Sequence, residues 1–165
     1  MSSTGEVGCI GANFDEALLT SLIAVGYRIP SKGVLVSSGD AKGKVELLDA
    51  CKTLAKKGIS IYATAGTAKF LEENGVKSTV VSWPDETANG NVNVVELMSE
   101  HKIDLVINIP KDQSHRELSN GYRIRRSAID HNIPLMTNAR LASAFIRAFN
   151  EKGEKDIQIK TWQEY

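Results

Sequence analysis

A chain of 165 residues has the length of one domain, on a norm of ~100–200 residues per domain, with room for a short appended segment. Lysine plus arginine and aspartate plus glutamate number 20 each, so the formal net charge is zero; that balance gives neither a basic field for a nucleic-acid backbone nor an acidic field for cationic partners. Hydrophobic residues at 42% and charged residues at 24% exclude a disordered chain, and no apolar run approaches the ~20 residues of a membrane span.

Cys9 and Cys51 are too few for a disulfide framework and have no metal-ligand spacing. The opening Met1-Ser2-Ser3-Thr4-Gly5-Glu6 lacks the basic and then apolar stretches of a signal peptide. A cytoplasmic location is expected, with no nucleic acid and no membrane among the partners.

From the N-terminus, Phe14, Ala17, Leu18, Leu22 and Val25 form a helical stripe that Leu19 and Ile23 widen. A helix apolar around so much of its girth packs against more than one neighbour, and in isolation this one is expected to be loosely attached. Ile29-Pro30-Ser31-Lys32-Gly33 reads as a linker. Val34-Leu35-Val36 predicts the first strand, closed by the turn-forming Ser37-Ser38-Gly39-Asp40. Val45, Leu48, Cys51, Leu54 and Ala55 predict a helix that Gly58 stops. Ile59-Ser60-Ile61-Tyr62-Ala63 is the second strand, followed by a short helix carrying Phe70 and Leu71 and ended by Asn74-Gly75. Thr79-Val80-Val81 is the third strand. Asn93 with Glu96 resembles a capping box opening the helix of Val94, Val95, Leu97 and Met98. Leu105-Val106-Ile107 and Pro134-Leu135-Met136 are the fourth and fifth strands, and Leu141, Ala144, Phe145, Ala148 and Phe149 mark the last helix.

Strands alternating with helices imply parallel pairing through right-handed crossovers. The expected fold is therefore α/β: a three-layer αβα domain around a five-stranded, mainly parallel sheet, over about residues 32–149. Ligands of such folds lie at the carboxyl ends of the strands.

Three strand ends there carry chemistry. Tyr62-Ala63-Thr64-Ala65-Gly66-Thr67 runs from a strand into a helix N-terminus, where hydroxyls and free N–H groups make an anion cradle; a plain strand–helix turn capped by a threonine fits the same residues. Ser37-Ser38-Gly39-Asp40 with Lys42 and Lys44, and Asn108-Ile109-Pro110-Lys111, lead to the same edge, where ammonium groups and an amide suit a phosphate or carboxylate. Trp83 follows the third strand and either covers a ligand or edges the core. Arg125 and Arg126 lie ~100° apart on a helix, so one is expected to pair with a carboxylate rather than face a ligand. His101, His115 and His131 have no zinc-ligand spacing. Dinucleotide, Walker and serine-elbow motifs are absent from the sequence.

Four stretches carry a resemblance: Ala63-Thr64-Ala65-Gly66-Thr67, Asp104-Leu105-Val106-Ile107-Asn108, Gly121-Tyr122-Arg123-Ile124-Arg125-Arg126 and Ile133-Pro134-Leu135-Met136-Thr137-Asn138. In order and spelling they resemble the methylglyoxal-synthase-like domain that ends the large subunit of carbamoyl phosphate synthetase. Residues 3–14 resemble the close of that enzyme's second ATP-grasp unit. The resemblance implies residues 1–31 as the tail of a preceding ATP-grasp domain with a linker, and residues 32–165 as the regulatory domain. The domain itself is then non-catalytic and without a cofactor or metal. Its parent is a ligase that uses ATP with magnesium or manganese to make carbamoyl phosphate from bicarbonate and glutamine or ammonia, for arginine and pyrimidine synthesis. Implied partners are the rest of the large subunit, a glutaminase small subunit and a further copy in a homo-oligomer.

The implied ligand is a small anionic effector: UMP, IMP, UTP, phosphoribosyl pyrophosphate or N-acetylglutamate, according to the branch. Carried across, the site residues are Lys44, Thr64, Gly66, Thr67, Trp83, Asn108, Lys111 and Asn120. Lys111 stands where the N-acetylglutamate branch has asparagine, while Gly121-Tyr122-Arg123 matches the pyrimidine branch. Two other readings share the fold. One is a methylglyoxal synthase-type phosphate lyase, whose aspartate base is replaced here in Asn89-Gly90-Asn91, with Asp85 and Asp112 nearby. The other is an oligomerisation domain with a vestigial pocket.

Overall fold

The computed structural model describes residues 7–86, 90–110, 115–153, 156–157 and 160–164, and of 115–117 and 162 the backbone only. Its helices are α1 (Phe14–Ala24), α2 (Ala41–Lys56), α3 (Ala65–Glu73), α4 (Val94–Ser99), α5 (His115–Asp130) and α6 (Ala139–Glu151). Its strands are β1 (Gly33–Ser38), β2 (Ser60–Thr64), β3 (Thr79–Val81), β4 (Leu105–Ile109) and β5 (Leu135–Met136). All five pair in parallel, in the order β3-β2-β1-β4-β5. The α/β, three-layer expectation holds.

β1 lies at the centre and every one of its residues is buried, as both faces of a parallel sheet are covered. Val34 and Val36 join one core with Leu47 and Leu54 of α2, Leu71 of α3 and Phe145 and Phe149 of α6. Leu35 points the other way, into a core with Val94, Leu97 and Met98 of α4 and Ile124 and Ala128 of α5. The period-two alternation of β1 thus separates the two helical layers.

Side chains cap three helix starts, and of the expected capping box the Asn93 half is formed. Asn93 accepts from the Val95 N–H, Asp40 from Gly43 and Asn138 from Leu141. Gly58 and Gly75 leave their helices at φ of 73° and 75°, where a side chain would be strained.

Three expectations need correction. β1 continues through Ser37 and Ser38, which pair with Asn108 and Ile109; the turn begins only at Gly39. α2 buries Leu47, Ala50, Cys51 and Leu54, whereas Val45 is 64% exposed and Ala55 is exposed too. α6 buries Ala142 and Ile146 beside Phe145 and Phe149, and Leu141 faces outward. The helical period is right in both and the phase is displaced, because α2 and α6 pack on each other as well as on the sheet, which broadens and turns their buried faces.

α1 finds its neighbour within the chain. Leu19 is fully buried in the α2–α6 core. Asp15 takes a two-pronged bond from Arg147, at 3.0 Å from Nε and 2.7 Å from Nη2, and Glu16 pairs with Lys152. Beyond the helix, the Tyr27 hydroxyl donates to the Leu135 carbonyl at 2.6 Å. The segment read as a linker is tied down as well: the Asp104 carboxylate accepts from the N–H groups of Ser31, Lys32 and Gly33. Gly33 is needed there, since a Cβ would stand 2.6 Å from the Lys102 carbonyl and 2.7 Å from the Tyr62 ring. Phe14 and Val25 remain exposed. No described helix is long and apolar enough to cross a membrane.

Candidate functional site

The strand order reverses between β1 and β4, and the crevice at their carboxyl ends is where such a sheet takes a ligand. Register builds a polar row there. Val36 pairs with Ala63 and Ser37 with Asn108, so Thr64, Ser37 and Asn108 stand side by side on three adjacent strands. They share the parity of Tyr62, Leu35 and Val106 and therefore face the α4–α5 layer. All three are buried.

The hydroxyls are linked. Thr64 Oγ1 lies 3.4 Å from both Ser37 Oγ and Thr67 Oγ1. Thr67 Oγ1 accepts from the Ser38 N–H and donates to the Ser38 carbonyl, each at 3.1 Å. The single Thr67 proton is thus engaged in tying α3 to the end of β1, and Thr64, with only long contacts, is the freer donor to an incoming oxygen.

Thr64 is also the N-cap of α3, yet its side chain makes no capping bond. The capped-turn alternative therefore does not describe this helix. The N–H groups of its first turn are left to solvent or to an anion, with the positive end of the helix dipole behind them. Lys44, on the first turn of α2, extends its Nζ to 3.7 Å from where a Cβ on Gly66 would stand. An ammonium, a hydroxyl and open backbone donors meet at this point.

Among the described residues three buried side-chain atoms have no partner: Asn108 Nδ2, Asn120 Oδ1 and, on the opposite face of β1 beneath Gly43, Ser38 Oγ. Each such orphan costs roughly 1–3 kcal/mol, which favours a polar partner at Asn108. Asn108 is held on its other side by Arg125, whose Nη1 donates to Oδ1 at 2.8 Å. Arg126 pairs with Asp130 at 2.8 Å, so the expected carboxylate pair falls to Arg126.

Trp83 is half-buried and packs at the margin of the α4–α5 core. Its carbonyl accepts from Asn93 Nδ2 at 3.0 Å. Two residues before it, Val81 pairs with Thr64, so Trp83 follows β3 at the carboxyl edge of the sheet. Lys111 lies outside the described residues, as do Asn89 and Asp112. Asn91 is exposed and its carbonyl receives the Ser82 hydroxyl at 3.4 Å. Arg125 and Gly121 have parts here that the sequence reading did not assign, and Ser37, read there as part of the turn, enters as a strand residue. The available signal was that three apolar runs end in a hydroxyl or amide residue at matching parity.

Other chemistry is poorly served. Burial pushes the Cys51 thiol up to about 12, which removes the thiolate a nucleophile or metal ligand needs. The rings of His101 and His131 lie 6.2 Å apart at the opposite, amino edge of the sheet. Among the described residues no group of three or more His, Cys, Asp or Glu side chains is placed to hold a metal ion.

A doubly wound parallel sheet with a donor-rich carboxyl edge is the frame of one known family: the family model for the MGS-like domain matches residues 46–137, more than half of the chain, and the chain belongs to that family. Over 168 residues it is 39% identical to the multifunctional protein pyr1-3 of Dictyostelium discoideum, covering 99% of this chain and 8% of that protein. It is 39% identical to the multifunctional protein CAD of Squalus acanthias, over 93% of this chain and 7% of that protein. It is 34% identical to the mitochondrial carbamoyl-phosphate synthase [ammonia] of Homo sapiens, over 94% of this chain and 10% of that protein. The chain thus spans a tenth or less of the length of these relatives. Among solved structures, methylglyoxal synthase from Elizabethkingia anophelis is similar at a TM-score of 0.48 and 22% identity, over 72% of this chain and 79% of that one.

Proposed function

We propose that this chain is the effector-binding regulatory domain of a carbamoyl phosphate synthetase, and that it takes a small anion at the carboxyl edge of its sheet. The observation that carries this reading is the uncapped N-terminus of α3, with the Lys44 ammonium over Gly66 and the unpartnered Nδ2 of Asn108 in the same crevice. Lys44, Gly66 and Thr64 hold the anionic group, Thr67 braces them, and Asn108 and Asn120 read the remainder of the ligand. Trp83 and Lys111 close the rim. Residues 1–31 belong to the tail of a preceding ATP-grasp unit. The rest of the large subunit, where ATP and its metal act, and a glutaminase subunit are the partners on which the effector is felt.

The test is a thermal-shift screen of the chain against UMP, UTP, IMP, phosphoribosyl pyrophosphate and N-acetylglutamate. A true effector at 100 times its dissociation constant adds about 2.7 kcal/mol to stability, a rise of several degrees. No stabilisation by any of the five overturns the reading in favour of an oligomerisation domain with a vestigial pocket.

A further inference from the structure

The two ends of the Asn108 amide have different surroundings. Oδ1 receives Nη1 of Arg125 at 2.8 Å, while Nδ2, in a side chain with no exposure at all, has no partner. A guanidinium carries donors and no acceptor, so the only end of an amide it can hold is the oxygen. Holding the oxygen turns the NH2 group away from Arg125. The polar row of Ser37 and Thr64 adjoins Asn108 on the same face, so this group belongs to the crevice.

The contact depends on a missing side chain. A Cβ on Gly121 would stand 2.8 Å from Arg125 Nη1 and 3.5 Å from Asn108 Oδ1. The guanidinium, at the end of a flexible chain, would then have to leave. Gly121 sits inside α5, where glycine is otherwise a weak choice.

Resting on the effector reading above, we propose that Arg125 is a positioning residue, given room by Gly121, that makes Asn108 an obligate hydrogen-bond donor. At this point the site then accepts only ligand groups that present a hydrogen-bond acceptor, such as a carbonyl, carboxylate or phosphate oxygen or a ring nitrogen. Without Arg125 the amide is free to turn, and only the fraction with NH2 inward is competent to bind.

The experiment uses the 165-residue chain, 15N-labelled, with three variants. Asn108→Asp keeps an oxygen toward Arg125 and places a second oxygen where the donor was. Arg125→Met removes the hold, and Gly121→Ala displaces it while improving helix propensity. The Asn108 side-chain amide signals, assigned by their loss in Asn108→Asp, are read without ligand, and affinities for UMP, UTP, IMP, phosphoribosyl pyrophosphate and N-acetylglutamate are read by calorimetry. Expected are shifted or broadened Asn108 signals in both Arg125→Met and Gly121→Ala, with binding weakened about threefold to tenfold. In Asn108→Asp the loss should be ~10-fold or more. Unmoved Asn108 signals in both variants, or wild-type affinity in both, would overturn the proposal, as would wild-type affinity in Asn108→Asp. Failure of the wild-type chain to bind any of the five overturns the effector reading and this role together, and is distinguished because wild-type binding itself is then missing.

Discussion

Thr67 makes two hydrogen bonds to the backbone that Thr64 lacks, and that difference separates their roles. Thr67 joins α3 to β1 through both the N–H and the carbonyl of Ser38, so Thr67→Ala should cost stability, by roughly 1–3 kcal/mol, along with affinity. Thr64 has only 3.4 Å contacts. Thr64→Val keeps the shape and removes the freer donor. It should lower effector affinity ~10-fold while leaving the urea midpoint within the error of wild type. Equal loss of stability in the two variants would show that both threonines are braces. The residue types made these positions legible, since a hydroxyl before a helix N-terminus is an anion signal in any parallel sheet. Ser37 and Arg125 were legible only in part. Ser37 enters the site only because β1 runs two residues further than its apolar run, and Arg125 only because Gly121, one helical turn before it, leaves a gap.

Among the elements, α1 shows how far a neighbour can change the reading of a stripe. Its breadth was visible in the chain, but the docking partner, α6, comes more than a hundred residues later, and the Arg147–Asp15 contact spans 132 positions. Hydrogen bonds from Arg147 and Lys152 hold Asp15 and Glu16 below the usual carboxylate range. Because the folded-state values are depressed, the stabilisation is complete above the ordinary carboxylate pKa of ~4 and is lost as the pH falls through the lowered values. Helix α1 should therefore leave α6 in acid before the sheet unfolds. Hydrogen exchange checks this: protection of residues 14–24 should hold from pH 6 down to about 4 and fall below that while β1 stays protected, and a parallel loss would refute it. Leu19, which has no exposure, is the apolar anchor of the same contact. Leu19→Ala should cost about 2–5 kcal/mol, read by chemical denaturation. If the cost is near zero, α1 is an ornament on α6 rather than part of the core. The phase of α2 and α6 was lost for a related reason: a single-face stripe assumes one neighbour, and each of these helices has more than one.

At the scale of the molecule, family membership leaves a chemical question between regulator and lyase. The resemblance read from the sequence puts Asn91 where a synthase's aspartate base is expected, and an amide takes no proton at neutral pH. Incubated with dihydroxyacetone phosphate, the chain should release no methylglyoxal above the uncatalysed rate; turnover abolished by changing Asp85 or Asp112 would reverse the assignment. The central place of β1 has a consequence for how the chain comes into being. Its partner β4 joins it across a separation of about 71 residues, the span of the Asp104–Gly33 contact that begins the pairing. Closing so long a loop is slow compared with forming β1-α2-β2 locally. The crevice between β1 and β4 does not exist until that closure is made. On the ribosome, a nascent chain that has emerged only as far as α3 already carries Lys44, Thr64 and Thr67 but has no second wall, so nucleotide or acyl-amino-acid ligands cannot rescue or mislead a half-made chain. On the proposed reading, an effector binds only after residues 105–109 have been delivered, which would make its capture a late checkpoint of synthesis rather than a guide to folding.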